Sequence, residues 1–225
     1  MGNIYVIMNK KISMQKIILI VFIVCASISS YAQQRVLAEC TITYNITVTD
    51  STNADKDLAV SLKSSYKTVF IKGNDSRTDL ISPAFIQSVI YDKTTGKATI
   101  LREFGSNKFI TKLTNTQWNK ENSKYENATL QFLDETKTIA GYICKKCILK
   151  LTDGSTFNMY YTTTIIPSVR EFEYQFKDVP GLVLEYESVE TKGIKIKYVA
   201  NKVNLSPVPI GKFVIPTTGY RILNK

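Results

Sequence analysis

A mainly antiparallel β domain with one or two short helices is the fold class that this sequence predicts. Three observations predict it. Apolar and polar side chains alternate strictly over residues 40–48, short apolar runs recur between glycine-bearing turns, and the several ten-residue helices that a parallel α/β sheet needs between its strands are missing. A chain of 225 residues, 44% hydrophobic and 21% charged, is long enough to bury one such core. With no linker rich in Pro, Gly or Ser and no internal repeat, residues 33–225 read as a single β-rich domain.

Residues 1–32 read differently. Lys10, Lys11 and Lys16 precede an apolar run over residues 17–28, and Ser30-Tyr31-Ala32 supplies a small-residue cleavage site before Gln33. That is the pattern of a secretory signal peptide, and twelve apolar residues are too few for a spanning helix. Its removal takes three lysines and no acids, so the formal charge falls from +10 to +7 on an exported product.

The elements follow in order. In residues 40–48, Cys40, Ile42, Tyr44, Ile46 and Val48 share one face, opposite Thr41, Thr43, Asn45 and Thr47, which predicts a half-buried strand. Residues 52–65 form the best helix candidate, with Leu58, Val60 and Leu62 available to cover one face. Strands are predicted over 69–71, 85–91, 98–103 and 109–113, the last three joined by turns at Gly96 and Gly105. Residues 115–127 are polar and read as a short helix or lid-like loop anchored by Trp118. Strands return at 129–133 and 142–151, and Asp153-Gly154 predicts a tight hairpin into 156–165. Pro180-Gly181 suits a type II turn before strands at 182–188 and 194–203, and the proline-punctuated residues 205–223 read as edge or extended structure.

Composition excludes much chemistry. The chain has no histidine, which removes the usual general base, the usual catalytic triads and histidine-bearing zinc sites. No catalytic residue, metal ligand set or cofactor is predicted. The lysines are scattered singly and no nucleic-acid signature is present, so nucleic acid is not an expected partner. Glu185 and Glu187 stand two apart on one strand face, and carboxylates so placed opposite Leu182, Leu184 and Tyr186 read as a solvated face.

Cys144-Lys145-Lys146-Cys147 has the spacing of a redox motif but strand-like flanks. On a regular strand two residues three apart point to opposite faces, about 10 Å apart against a disulfide limit of about 7 Å. Three cysteines then remain after leader removal, and one disulfide from Cys40 to either Cys144 or Cys147 is the expected count in an oxidising compartment. A thiol-active redox protein using Cys144 is the least favoured functional reading.

Residues 136–146 (TKTIAGYICKK) and 178–186 (DVPGLVLEY) resemble the GLPGLI family, exported proteins of Gram-negative envelopes without an assigned activity. The family pattern is an IAGY-x-C-x-K strand followed some forty residues on by a PGL turn and strand. This chain departs from it at Val179, where the family name implies leucine, and at Cys147, usually a small apolar position. The resemblance implies a LolA-like fold, the half-open barrel of lipoprotein carriers, in which a strongly curved antiparallel sheet is closed on its concave face by short helices.

Such a face would hold a hydrophobic or acyl-bearing ligand. The in-phase residues Ile42, Tyr44 and Ile46, then Leu182, Leu184 and Tyr186, then Ile196 and Tyr198 are the expected lining. The leading functional expectation is a non-enzymatic carrier or sensor of an apolar ligand such as lipid, in the periplasm or outside the cell. The alternative is an envelope interaction or scaffolding module that binds another protein through exposed strand edges.

Overall fold

The computed structural model of the chain describes residues 35–50, 60, 62, 64–189 and 195–223. Contacts divide the chain into the units Met1–Gln33 and Gln34–Lys225, and only the second falls within the described residues. The predicted leader therefore lies outside them. So does most of the predicted helix at 52–65, of which Val60 and Leu62 are helical and Leu62 is buried.

The strands are β1 (Arg35–Leu37), β2 (Glu39–Asp50), β3 (Tyr66–Lys72), β4 (Asp75–Ile81), β5 (Ile86–Asp92), β6 (Lys97–Phe104) and β7 (Asn107–Leu113). Helix α1 (Asn115–Glu121) and a 3-10 turn (Ser123–Tyr125) follow. Then come β8 (Thr129–Ile139), β9 (Tyr142–Lys150), β10 (Thr156–Thr162), β11 (Ile165–Pro167), two 3-10 turns (Arg170–Phe172 and Tyr174–Phe176), β12 (Leu182–Val189), β13 (Lys195–Asn204) and β14 (Arg221–Ile222). A capping box at Thr114 and Gln117 fixes the start of α1, because the Thr114 hydroxyl accepts the Gln117 amide while the Gln117 side chain accepts the Thr114 amide.

Twelve strands form one sheet in the order β14-β7-β6-β5-β4-β3-β2-β13-β12-β10-β9-β8. Its pairs are antiparallel except β14 with β7, while β1 and β11 make a separate parallel pair. The sheet is open, with β8 and β14 at its edges. It must also curl. Ten inter-strand steps separate β7 from β8, about 48 Å if the sheet were flat. Residues 114–128 join those strands and include a seven-residue helix and a three-residue 3-10 turn, so they reach only about 33 Å with everything else extended. A connection that short crosses the chord of a curved sheet, so the face bearing α1 is the concave one.

Register places the residues. Tyr44 pairs with Lys67, Ile42 with Val69 and Cys40 with Ile71, while Tyr186 pairs with Tyr198 and Tyr198 with Ile46, so all of these share the concave face. An excursion between β10 and β12, residues 163–181, covers that face. β11 pairs with β1, the Phe172 carbonyl accepts from Thr78 Oγ1 of β4 at 3.2 Å, and the Ser168 carbonyl accepts from Lys93 Nζ at 2.8 Å. Phe172, Phe176 and Val179 thereby close over Tyr44, Leu182, Tyr186 and Tyr198 in the main core. Residues 205–223 cover the outer face instead, packing Ile215 and Tyr220 on Ile90, Leu101 and Ile110.

Several elements differ from expectation for identifiable reasons. β4 (DSRTDLI) carries no apolar alternation, because its concave-face Ser76 and Thr78 are buried polar residues. β8 runs to Ile139 rather than ending near 133, past a register shift between Phe132 and Thr136 that interrupts the two-residue rhythm. The strand expected over 156–165 splits, since β10 ends at Thr162 and the chain turns away to pair with β1. Pro180-Gly181 is not a type II turn, which needs a positive φ at its second residue, because Gly181 is not a positive-φ glycine. Glu185 is not solvated but 5% exposed, held by Lys137 at 2.5 Å and Lys197 at 2.9 Å, while Glu187 accepts both the Asn158 amide and its side-chain nitrogen.

Candidate functional site

The eight residues expected to line a ligand site are all buried. Ile42, Tyr44, Leu182, Leu184, Tyr186, Ile196 and Tyr198 are at most 2% exposed and Ile46 is 7% exposed. Leu184 and Tyr186 belong to a strand whose residues 182–186 are buried on both faces. The concave-face surface is filled by the protein's own aromatics. Tyr186 stacks on Tyr198 with centroids 4.6 Å apart and meets Tyr44 at 5.8 Å and Phe176 at 4.9 Å edge-on. Lys67 enters this cluster, donating to the Tyr186 hydroxyl at 2.7 Å, lying over the Tyr198 ring at 4.6 Å and pairing with Glu173. The Tyr44 hydroxyl donates to the Val183 carbonyl at 2.7 Å, and burial holds its pKa well above the ordinary tyrosine value. None of the eight lines either of the two recesses described below.

The cysteines also depart from expectation. Cys40, Cys144 and Cys147 are buried free thiols, so the expected bridge from Cys40 is not formed. The sheet order explains this, since β2 and β9 stand four steps apart, about 19 Å along the sheet against a disulfide limit of about 7 Å. Burial pushes Cys40 and Cys147 up to about 12 and Cys144 up to about 11. Thiols so protonated are poor nucleophiles. All three are expected to react with a maleimide at neutral pH about a hundredfold more slowly than a cysteine peptide. Peptide mapping of the labelled native protein checks this, and peptide-like labelling of Cys144 would restore the thiol-active reading.

Beyond the filled core, the concave face keeps a cleft of about 390 Å³ between α1, the turn at Ser123–Tyr125 and the two turns of the covering excursion. Its floor is Thr78, Gln87, Val89 and Ile100 from β4, β5 and β6, and its walls are Trp118 and Tyr125 on one side and Phe172, Glu173, Tyr174 and Gln175 on the other. Trp118 is set by packing on Val89, Tyr91, Ala98, Ile100 and Leu113, with the Tyr91 ring stacked at 5.9 Å. The Tyr125 and Tyr174 rings lie 6.5 Å apart. Glu126 fastens the two walls together, accepting from the Tyr174 hydroxyl and from Lys177 Nζ at 3.3 Å. Those donors hold its carboxyl below the ordinary glutamate value, while burial and then Glu126 push Tyr174 up to about 12.

One atom in this wall has no partner. Trp118 Nε1 is buried without a hydrogen bond, although buried indole N–H groups usually find an acceptor. The cleft thus combines aromatic walls with the cation of Lys124 beside Tyr125. A larger recess of about 560 Å³ lies at the strand ends, lined by Gly154, Ser155, Thr156, Phe157, Asn158, Glu187, Ser188 and Lys195. It holds one aromatic residue against four in the cleft, so the cleft is the better candidate for an apolar ligand. Among the described residues no group of three or more Asp, Glu or Cys side chains is placed to hold a metal, and no helix is long and apolar enough to cross a membrane.

No protein-family model matches the chain, and no curated protein matches it. Among solved structures it is similar to PNGF-II, at 13% identity and a TM-score of 0.44 over 83% of this chain and 31% of that one. It is similar to MucB in the Pseudomonas aeruginosa MucA/MucB complex, at 11% identity and 0.40 over 79% and 56%. A LolA superfamily protein from Nitrosomonas europaea is a third, at 12% identity and 0.28 over 79% of this chain and 89% of that one. The chain thus spans less than two thirds of PNGF-II and of MucB. A LolA superfamily member is among these neighbours, while no family model supports the GLPGLI assignment. At such scores the likenesses carry no function to this chain.

Proposed function

We propose that this is a non-enzymatic, exported binding domain, a carrier or sensor of an amphiphilic ligand with an apolar or acyl body. The ligand sits in the cleft between α1 and the covering turns, not among the eight residues of the filled core. The observation that carries this reading is the lining of the cleft, where the rings of Trp118, Tyr125, Phe172 and Tyr174 offer apolar surface to a ligand's body and Lys124 offers a cation to its polar end. The volume lies within the ordinary range for small-molecule sites, about 300–1,000 Å³. The LolA-like half-open barrel implied by the sequence resemblance is compatible with an open, curved sheet bearing a ligand on its concave face.

Trp118 is the chain's one tryptophan, so its emission reports the site directly. Titration with a fluorescent fatty acid is expected to change that emission saturably. Trp118→Phe, which trims the indole surface from the wall, is expected to weaken binding about fivefold, measured through the probe's own fluorescence. Absence of saturable binding to several acyl probes would remove the carrier reading.

The alternative of docking through strand edges has less support. The exposed edge β8 carries an irregularity after Phe132 and the charged Glu135, which pairs with Lys146 of β9, features that blunt edges, and β14 spans only Arg221–Ile222. Phe132, 53% exposed on β8, is the residue that would serve such docking.

A further inference from the structure

We propose that residues 205–223 form a ridge that docks the protein on an anionic lipid surface. The segment crosses the outer face of the sheet and is anchored along its length. The Val208 amide donates to Glu39 Oε2 at 2.7 Å on β2, and the Lys212 carbonyl accepts from Arg77 at 2.9 Å on β4. The Tyr220 hydroxyl donates to Glu103 on β6, and the Leu223 amide donates to the Ile110 carbonyl at 2.8 Å on β7. Val208, Ile215 and Tyr220 turn inward. Leu205, Ile210, Val214, Ile222 and Leu223 turn outward at 39%, 66%, 64%, 71% and 42% exposure.

Those five are a large share of the twelve large hydrophobic side chains exposed among the described residues, gathered in nineteen positions. Scattered exposed aliphatics are ordinary, whereas a run of them on one anchored segment marks a contact surface. Charge identifies the partner. No Asp or Glu follows Glu190 in the sequence, while Lys202, Lys212 and Arg221 are exposed along or beside the ridge. The nearest acids are already engaged, Glu39 by Lys72 and Glu103 by Lys108. Aliphatic side chains protruding beside these cations, on a segment that carries no acid of its own, suit anionic headgroups over an apolar layer. A second copy of the same surface would meet like charge. Pro207, Pro209 and Pro216 stiffen the segment, which reduces the ordering cost of docking. The ridge lies on the face opposite the cleft, so this inference stands or falls independently of the ligand reading.

Co-sedimentation with vesicles tests it. The full chain is expected to bind vesicles of phosphatidylglycerol and phosphatidylcholine about tenfold more tightly than pure phosphatidylcholine, with the preference lost near 0.5 M salt. Ile210→Ser with Val214→Ser and Ile222→Ser is expected to reduce binding about tenfold without shifting thermal unfolding, because all three side chains are exposed. Lys212→Gln with Arg221→Gln should reduce it comparably on anionic vesicles only. Equal binding by wild type and both variants would overturn the proposal. Failure of the wild type to bind anionic vesicles would overturn it too and leave a protein partner for the ridge.

Discussion

Tyr186→Ala is expected to lower the stability of the protein by about 3–5 kcal/mol, the range for deleting a fully buried aromatic. Tyr186 is 1% exposed and stands where three other rings converge, stacked on Tyr198 and edge-on to Tyr44 and Phe176. Truncation leaves a ring-sized void and withdraws the Tyr186 hydroxyl from the Lys67 ammonium, which keeps Glu173 and the Tyr198 ring. Because Phe176 and Glu173 belong to the covering excursion, the loss also loosens that excursion from the sheet. Tyr186→Phe separates the contributions, since it keeps the stack and removes only the hydroxyl, at a cost of about 1–3 kcal/mol. Urea unfolding of the three proteins checks this. A Tyr186→Ala variant within 1 kcal/mol of wild type would mean the aromatic cluster does not fasten the covering segment.

Gly181→Ala is expected to cost about 3 kcal/mol, at the upper end for overpacking, although it adds a single methyl group. A Cβ at Gly181 would lie 2.0 Å from the Thr162 carbonyl oxygen and 2.9 Å from its carbon, so backbone rather than a mobile side chain stands in the way. Thr162 pairs with Leu182 just beyond the register shift at Tyr160 and Tyr161, where the excursion rejoins the sheet. The methyl can be accommodated only by parting β10 from β12. Gly154→Ala provides the contrast. That residue has φ +86° and open space around it, so only local backbone strain opposes the change, about 1–2 kcal/mol. Thermal unfolding of both variants decides between packing and conformation. A smaller loss at Gly181 than at Gly154 would show that close approach is not what requires the glycine.

The glycine of the Pro-Gly-Leu motif was legible in the sequence, but its reason was not, because the clash involves a strand twenty residues earlier. The same distinction runs through the fold. β2 announced itself by alternation, since Cys40, Ile42, Tyr44 and Ile46 are buried while their polar neighbours are not. β4 did not, because its buried residues Ser76 and Thr78 are polar, and Thr78 bonds to the carbonyl of Phe172, almost a hundred residues away. The eight expected lining residues lie on strands, yet periodicity cannot tell a face that meets a ligand from one that meets its own chain. Residues 166–179, which decide the matter, show neither helical nor strand period. Trp118 was legible as the anchor of a polar segment. Its role in the cleft wall depends on Tyr174 and Glu173, more than fifty residues on in an aperiodic stretch that no local pattern places beside it.

An acyl ligand is expected to occupy the cleft between α1 and the covering turns, and cross-linking a photoreactive fatty acid bound at saturation locates it. Mass spectrometry of the digested adduct is expected to find label on peptides carrying Trp118 to Tyr125 and Phe172 to Gln175, with competition by unlabelled fatty acid. Competed label on Ile42, Tyr44, Leu184 or Tyr198 instead would contradict the account, because the ligand would then be entering the core that the aromatic cluster fills.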